Sequence, residues 1–231
     1  MNLALRKPMT LAEFLAWEER QPLRHEFDGV GPVAMTGGTR AHADIQANLT
    51  TALRTRLRGK PCRFYGSDLK IRTAEDHIRY RDGFVSCTAG ENASTVVSDP
   101  VVIFEVLSPS TAATDRIAKA REYQAMPSVQ RYVMIEQDRI GATVYTRASG
   151  DWKHQILIED SILALPEIGV ELALASSTKV SSSSGTRTLT GLRPASPPEL
   201  GHRPHRPAGE STVKRFRLER IRRGSKAAFS L

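Results

Sequence analysis

The sequence predicts a mixed α/β (α+β) domain, a central sheet flanked by helices. Two observations carry this. Apolar residues recur at helical spacing in separate segments, with short strand-like runs between them. One such run, Val101–Leu107, is apolar almost throughout, as expected of a central strand buried on both faces.

Each element has a local cause. Thr10-Leu11-Ala12-Glu13 is a capping box, and Leu11, Phe14, Leu15 and Trp17 give the helix behind it one apolar face. That helix should end near Arg20, before Pro22. Residues 24–36 read as a hairpin turning at Asp28-Gly29. A second helix runs from about Ala41 to Arg58, with Ile45, Leu49, Leu53 and Leu57 four residues apart and Gly59-Lys60-Pro61 as its stop. Cys62–Tyr65 and Asp68–Arg72 read as one bent strand, Ile78–Ser86 as another, and 87–99 as polar loop. After Ser108-Pro109-Ser110 a crossover helix spans 114–125, with Thr114 or Asp115 near its start. Strands at Arg131–Gln137, Ala142–Arg147, Trp152–Ile158 and about Gly169–Leu174 complete the domain, which spans 1–176.

The chain has 231 residues and a formal net charge of +8. That charge is not spread evenly. Residues 177–231 hold 12 Lys/Arg against 3 Asp/Glu, whereas 1–176 hold 21 against 22. Ser, Pro and Gly make up 19 of those last 55 residues. Such a segment buries too little apolar area to offset its ordering entropy, so it reads as a disordered basic tail. Residues 211–223 could become helical on a polyanion, although a solvated tail is the simpler reading. The high isoelectric point therefore says little about the domain itself.

No export signal or spanning segment is visible, and Cys62 and Cys87 form no CxxC motif. A cytoplasmic protein with free thiols is expected.

Two acidic residues stand out. Asp82 lies inside the strand candidate 78–86, and Glu105 lies inside the most apolar strand. An ionised carboxylate there is costly unless it is paired or binds a metal. For either one alone, pairing with an arginine or emergence at the sheet edge suffices. Two on neighbouring strands, followed by Lys119 on the next helix, favour a divalent-ion site. Their hard oxygens suit Mg²⁺ or Mn²⁺. A nearby ammonium could orient water and neutralise a scissile phosphate.

Glu105-Val106-Leu107-Ser108-Pro109-Ser110-Thr111, with Asp115, Lys119 and Tyr123 behind it, resembles the signature of the Uma-two family. These are restriction-endonuclease-like proteins of the PD-(D/E)XK nuclease superfamily. Met9–Leu15, His25-Glu26-Phe27-Asp28-Gly29, Ala41-His42-Ala43, Tyr80-Arg81-Asp82 and Pro127-Ser128 with Tyr132 resemble its other segments, so the likeness covers about 9–176. It implies a restriction-endonuclease-like mixed sheet, with Asp82 and Glu105 as metal ligands. Leu107 stands at the motif lysine position, and the resemblance implies that Lys119 on the following helix would supply the lysine. Glu26 would be an accessory acidic catalytic residue, or else a hairpin ion-pair partner. His42 would approach phosphate, or simply open its helix. From spacing alone, Tyr123 shares a helix face with Lys119 four residues before it, and would pack against or orient it.

Departures from the pattern are visible. Arg81 replaces a proline and stands beside Asp82, where it could pair with the carboxylate and compete with metal. Gly83 interrupts the strand that follows. Val30 and Gly31 stand where another acidic residue is usual. The pattern ends near Leu174, as a reading-frame change before the tail would also produce.

The implied function is a metal-dependent DNA endonuclease that hydrolyses phosphodiester bonds, acting as a homodimer by analogy. The alternative is a catalytically inactive nuclease-like protein that binds nucleic acid through its tail. A glycosidase-like carboxylate pair ranks lower, because a chain with 2 Trp has little aromatic surface to stack sugars.

Overall fold

The structure, a computed structural model, describes residues 8–35, 37–107 and 113–178. Helix α1 (Leu11–Glu18) opens on the expected capping box: Thr10 Oγ1 accepts the Glu13 N–H at 3.2 Å, and Glu13 accepts the Thr10 N–H at 2.8 Å. Strands β1 (His25–Phe27) and β2 (Pro32–Ala34) form the hairpin. Asp28 holds its turn by accepting the N–H groups of Val30 and Gly31, and Gly29 supplies the required φ of +87°. Helix α2 (Arg40–Arg56) is capped by Thr39 and buries Ile45, Leu49 and Leu53.

Beyond α2 the structure departs from the sequence reading. The segment 62–72 is two strands, β3 (Arg63–Gly66) and β4 (Lys70–Arg72), and 78–86 is also two, β5 (Ile78–Tyr80) and β6 (Gly83–Ser86). Strands β4 and β5 pair in one sheet and β3 and β6 in the other. Between β3 and β6 the chain therefore changes sheets twice. The apolar residues of these strands divide among three clusters: Phe64 and Val85 enter one, Ile71 and Phe84 a second, and Ile78 a third. A short strand β7 (Val96–Val97) inside the supposed loop pairs parallel to β4.

Strand β8 (Val102–Leu107), helix α3 (Ala113–Gln124) and strand β9 (Arg131–Glu136) form a parallel crossover unit. Strands β10 (Gly141–Ala148) and β11 (Asp151–Ile158) extend that sheet, giving the order β11-β10-β9-β8-β6-β3. The second sheet runs β2-β1-β5-β4-β7. A further hairpin, β12 (Ile162–Leu165) with β13 (Val170–Ala173), precedes the short helix α4 (Leu174–Thr178). The sequence reading lacked β12.

The apolar run of β8 has the predicted cause. Phe104 and Val106 join the core cluster that also contains Ile45, Leu49 and Leu53 of α2. Ile103 and Leu107 join the cluster containing Ala120 and Tyr123 of α3. A smaller cluster, Phe14, Phe27 and Ile78, seats α1 on the second sheet.

The expectation of free thiols is not met: Cys62 and Cys87 are joined in a disulfide. They lie one step beyond the Arg63↔Ser86 pair of β3 and β6, a register that sequence spacing does not reveal. Among the described residues no helix is long and apolar enough to cross a membrane. The tail beyond Thr178, including 211–223, lies outside the described residues, as do the Ser108–Thr111 connection and the Asp115 side chain.

Candidate active site

The candidate residues gather where the chain passes between the sheets. Asp82 is not inside a strand, as expected from sequence, but in the break between β5 and β6. The last pair of the β6–β8 ladder is Gly83↔Phe104, so Asp82 and Glu105 are the next residues on their two chains. Gly83 is required there: a Cβ would stand 2.4 Å from Phe64 Cζ. The residue that looked like a weakness in a strand makes room for a core ring.

Asp82 is held from α2. His42 Nε2 lies 2.7 Å and Gln46 Nε2 2.6 Å from Asp82 Oδ1, and the Val106 N–H donates to Oδ2 at 2.6 Å. The hydrogen bond to Asp82 raises the pKa of His42 above its ordinary value, against the opposing effect of burial. His42 thus meets a carboxylate, not open solvent. A groove of about 430 Å³ opens beside Asp82, lined by Gln46, Thr50, Arg54, Tyr65 and Ser67 among others.

Glu105 is held differently. Arg81 Nη1 donates to its Oε1 at 2.7 Å, the Tyr132 hydroxyl donates to Oε2, and Lys119 Nζ lies 3.8 Å from Oε1. The register of β8 and β9 explains Tyr132: it pairs with Ile103, two residues before Glu105 and on the same face.

Arg81 was expected to threaten Asp82. It pairs instead with Glu105 and with Glu26, whose Oε1 accepts from Nη2 at 2.6 Å. Glu26 also accepts the Tyr80 N–H at 3.1 Å and lies 3.6 Å from Arg79. Its side chain is 11% exposed. The geometry pairs the buried Glu26 carboxylate with Arg81, which follows β5 and lies outside the Glu26 hairpin. Burial opposes the charge on Arg81, but Tyr123, Glu105 and Glu26 outweigh it and raise its pKa well above the ordinary value. Tyr123 lies under this guanidinium, 5.4 Å from ring centre to Cζ, and 5.1 Å from the Tyr132 ring. It therefore supports Arg81 directly. Sequence reasoning missed Gln46 and Tyr132. Gln46 lies one turn beyond His42, a spacing that could have flagged it.

The family model described as "Putative restriction endonuclease" (Uma2) matches residues 11–175. The chain belongs to this family. An uncharacterized Synechocystis protein, slr1290, is 34% identical over 165 residues, covering 70% of this chain and 87% of that protein. A second, sll1609, is 29% identical over 141 residues, covering 59% and 80%. A crystal structure from Anabaena variabilis, described as a "putative nuclease", superposes with a TM-score of 0.62 at 17% identity, covering 74% of this chain and 98% of that one. That likeness shows a shared fold.

The family resemblance implies a divalent metal. Among the described residues no three Asp, Glu, His or Cys side chains form a metal cage. A Mg²⁺ site needs less, since one or two carboxylates with water can complete it. Asp82 and Glu105 meet that requirement in donor type, and their side chains remain 14% and 15% exposed. They fit a hard divalent ion.

Proposed function

We propose that this member of the Uma2 family is a DNA endonuclease that hydrolyses phosphodiester bonds with Mg²⁺ or Mn²⁺ held by Asp82 and Glu105. One observation supports it most: two carboxylates from adjacent chain segments emerge together at the end of the β6–β8 ladder, with an ammonium 3.8 Å from one of them. The ion would acidify a water and neutralise charge on the phosphate.

The protein's own groups do the positioning. His42, Gln46 and the Val106 N–H fix the Asp82 carboxylate, while Tyr132 fixes Glu105. Lys119, 23% exposed, can turn from Glu105 to a phosphate oxygen or to the attacking water. The groove beside Asp82 offers Gln46, Thr50 and Arg54 to the backbone of a DNA strand.

The test is cleavage of plasmid DNA with Mn²⁺ by the parent protein and by Asp82→Asn, Glu105→Gln and Lys119→Met. Loss of cutting in all three is expected. Variants that cut as well as the parent would overturn the proposal.

A second reading is favoured by the Arg81–Glu105 ion pair: a silent relative that binds nucleic acid without cutting it. Its binding would rest on phosphate contacts, fall steeply with salt and largely disappear on deletion of 177–231.

A further inference from the structure

Arg81 has an unusual position for a cation. It is 3% exposed, so it cannot reach a phosphate in the groove. Its two terminal nitrogens bridge Glu26 at 2.6 Å and Glu105 at 2.7 Å. The second of these carboxylates is one that the endonuclease reading gives to a metal. Arg81 Nε is buried without a hydrogen-bond partner among the described residues. The two carboxylates, and not full satisfaction of its donors, therefore set where the guanidinium lies.

The charges have a consequence. Glu26, Asp82 and Glu105 contribute three negative charges, and Lys119, Arg81 and Arg79, which lies 3.6 Å from Glu26, return three of them. An ion on Glu105 responds most to the charges nearest its ligand oxygen. Arg81 places a fixed positive charge within hydrogen-bond distance of that oxygen. An ion on Glu105 would meet like-charge repulsion from a group that burial prevents from swinging into water.

We propose that Arg81 is a built-in competitor for the divalent ion, an internal cation that shares Glu105 with the metal and keeps the site weakly loaded. Glu26 is its anchor: it holds the guanidinium against Glu105 and does not itself ligate the ion. This rests on the reading of Asp82 and Glu105 as metal ligands. It goes beyond that reading by giving the site a threshold, so that only a high ion concentration, or an ion bound together with DNA phosphate, fills it.

The experiment is calorimetric titration of the full-length protein with Mn²⁺ alone. The variants are Arg81→Gln, Arg81→Lys and the double variant Arg81→Gln/Glu26→Gln. The last keeps the core neutral if Arg81→Gln alone does not fold, and thermal melts establish which variants are folded. Removing the guanidinium should tighten Mn²⁺ binding by about tenfold or more, whereas Arg81→Lys should bind like the parent. Adding Glu105→Gln to the tightened variant should abolish the gain. Equal affinity in parent and Arg81→Gln/Glu26→Gln would overturn the competitor role and leave the metal reading standing. No measurable binding in any folded variant would overturn both.

Discussion

Asp82 Oδ2 accepts the backbone N–H of Val106 at 2.6 Å, so the first candidate carboxylate clamps the strand that carries the second. The two are coupled through the backbone as well as through any shared ligand. Alanine at position 82 would leave the Val106 N–H and Gln46 without their acceptor. Asp82→Ala should therefore cost about 1–3 kcal/mol in urea denaturation. Asp82→Asn, which keeps an acceptor oxygen, should cost less. If the two variants lose the same stability, the clamp is not what holds this end of β8.

His42 makes a pH-dependent contribution. Its pKa in the folded protein lies above the ordinary 6.5 because Asp82 bonds it. A raised folded-state pKa gives stability that is fully present below the unfolded value and lost as pH rises through the folded one. The difference in Tm between parent and His42→Gln should therefore be largest below the ordinary histidine value, about pH 6.5, and shrink as pH rises above it. A difference that grows with pH would reverse the assignment.

Gly83 tests packing. Its missing Cβ leaves space for the Phe64 ring, which would otherwise be 2.4 Å away. Gly83→Ala should destabilise by about 1–3 kcal/mol, the usual range for overpacking, despite the better strand propensity of alanine. Trimming the ring as well, in Gly83→Ala/Phe64→Leu, should recover part of that loss. A neutral Gly83→Ala, measured by thermal unfolding, would show that the ring yields freely.

The disulfide closes a loop with a sequence separation of 25 residues. Reduction, or Cys62→Ser with Cys87→Ser, should cost about 3 kcal/mol, chiefly by releasing the unfolded chain. Unfolding with and without dithiothreitol measures it. An unchanged midpoint would mean that the bond contributes nothing.

Much of the fold was legible in the residues themselves. The Thr10–Glu13 capping box, the Asp28-Gly29 turn and the continuous apolar strand at β8 all depend on neighbours within a few positions. Their physics is local, so the sequence alone determined them. It also singled out Asp82 and Glu105 as carboxylates in strand-like segments and Lys119 as the lysine on the helix that follows, and the structure gathers Glu105 and Lys119. Tertiary structure decided the rest. Whether 78–86 is one strand or two depends on which sheet each half can pair with, and that is settled by cores built from distant residues. The pairing of Cys62 with Cys87 follows from a register between strands. Arg81 is the sharpest case. Sequence proximity pointed it at Asp82, but the change of sheet turns it toward Glu26 and Glu105, where two carboxylates offset the cost of burying its charge.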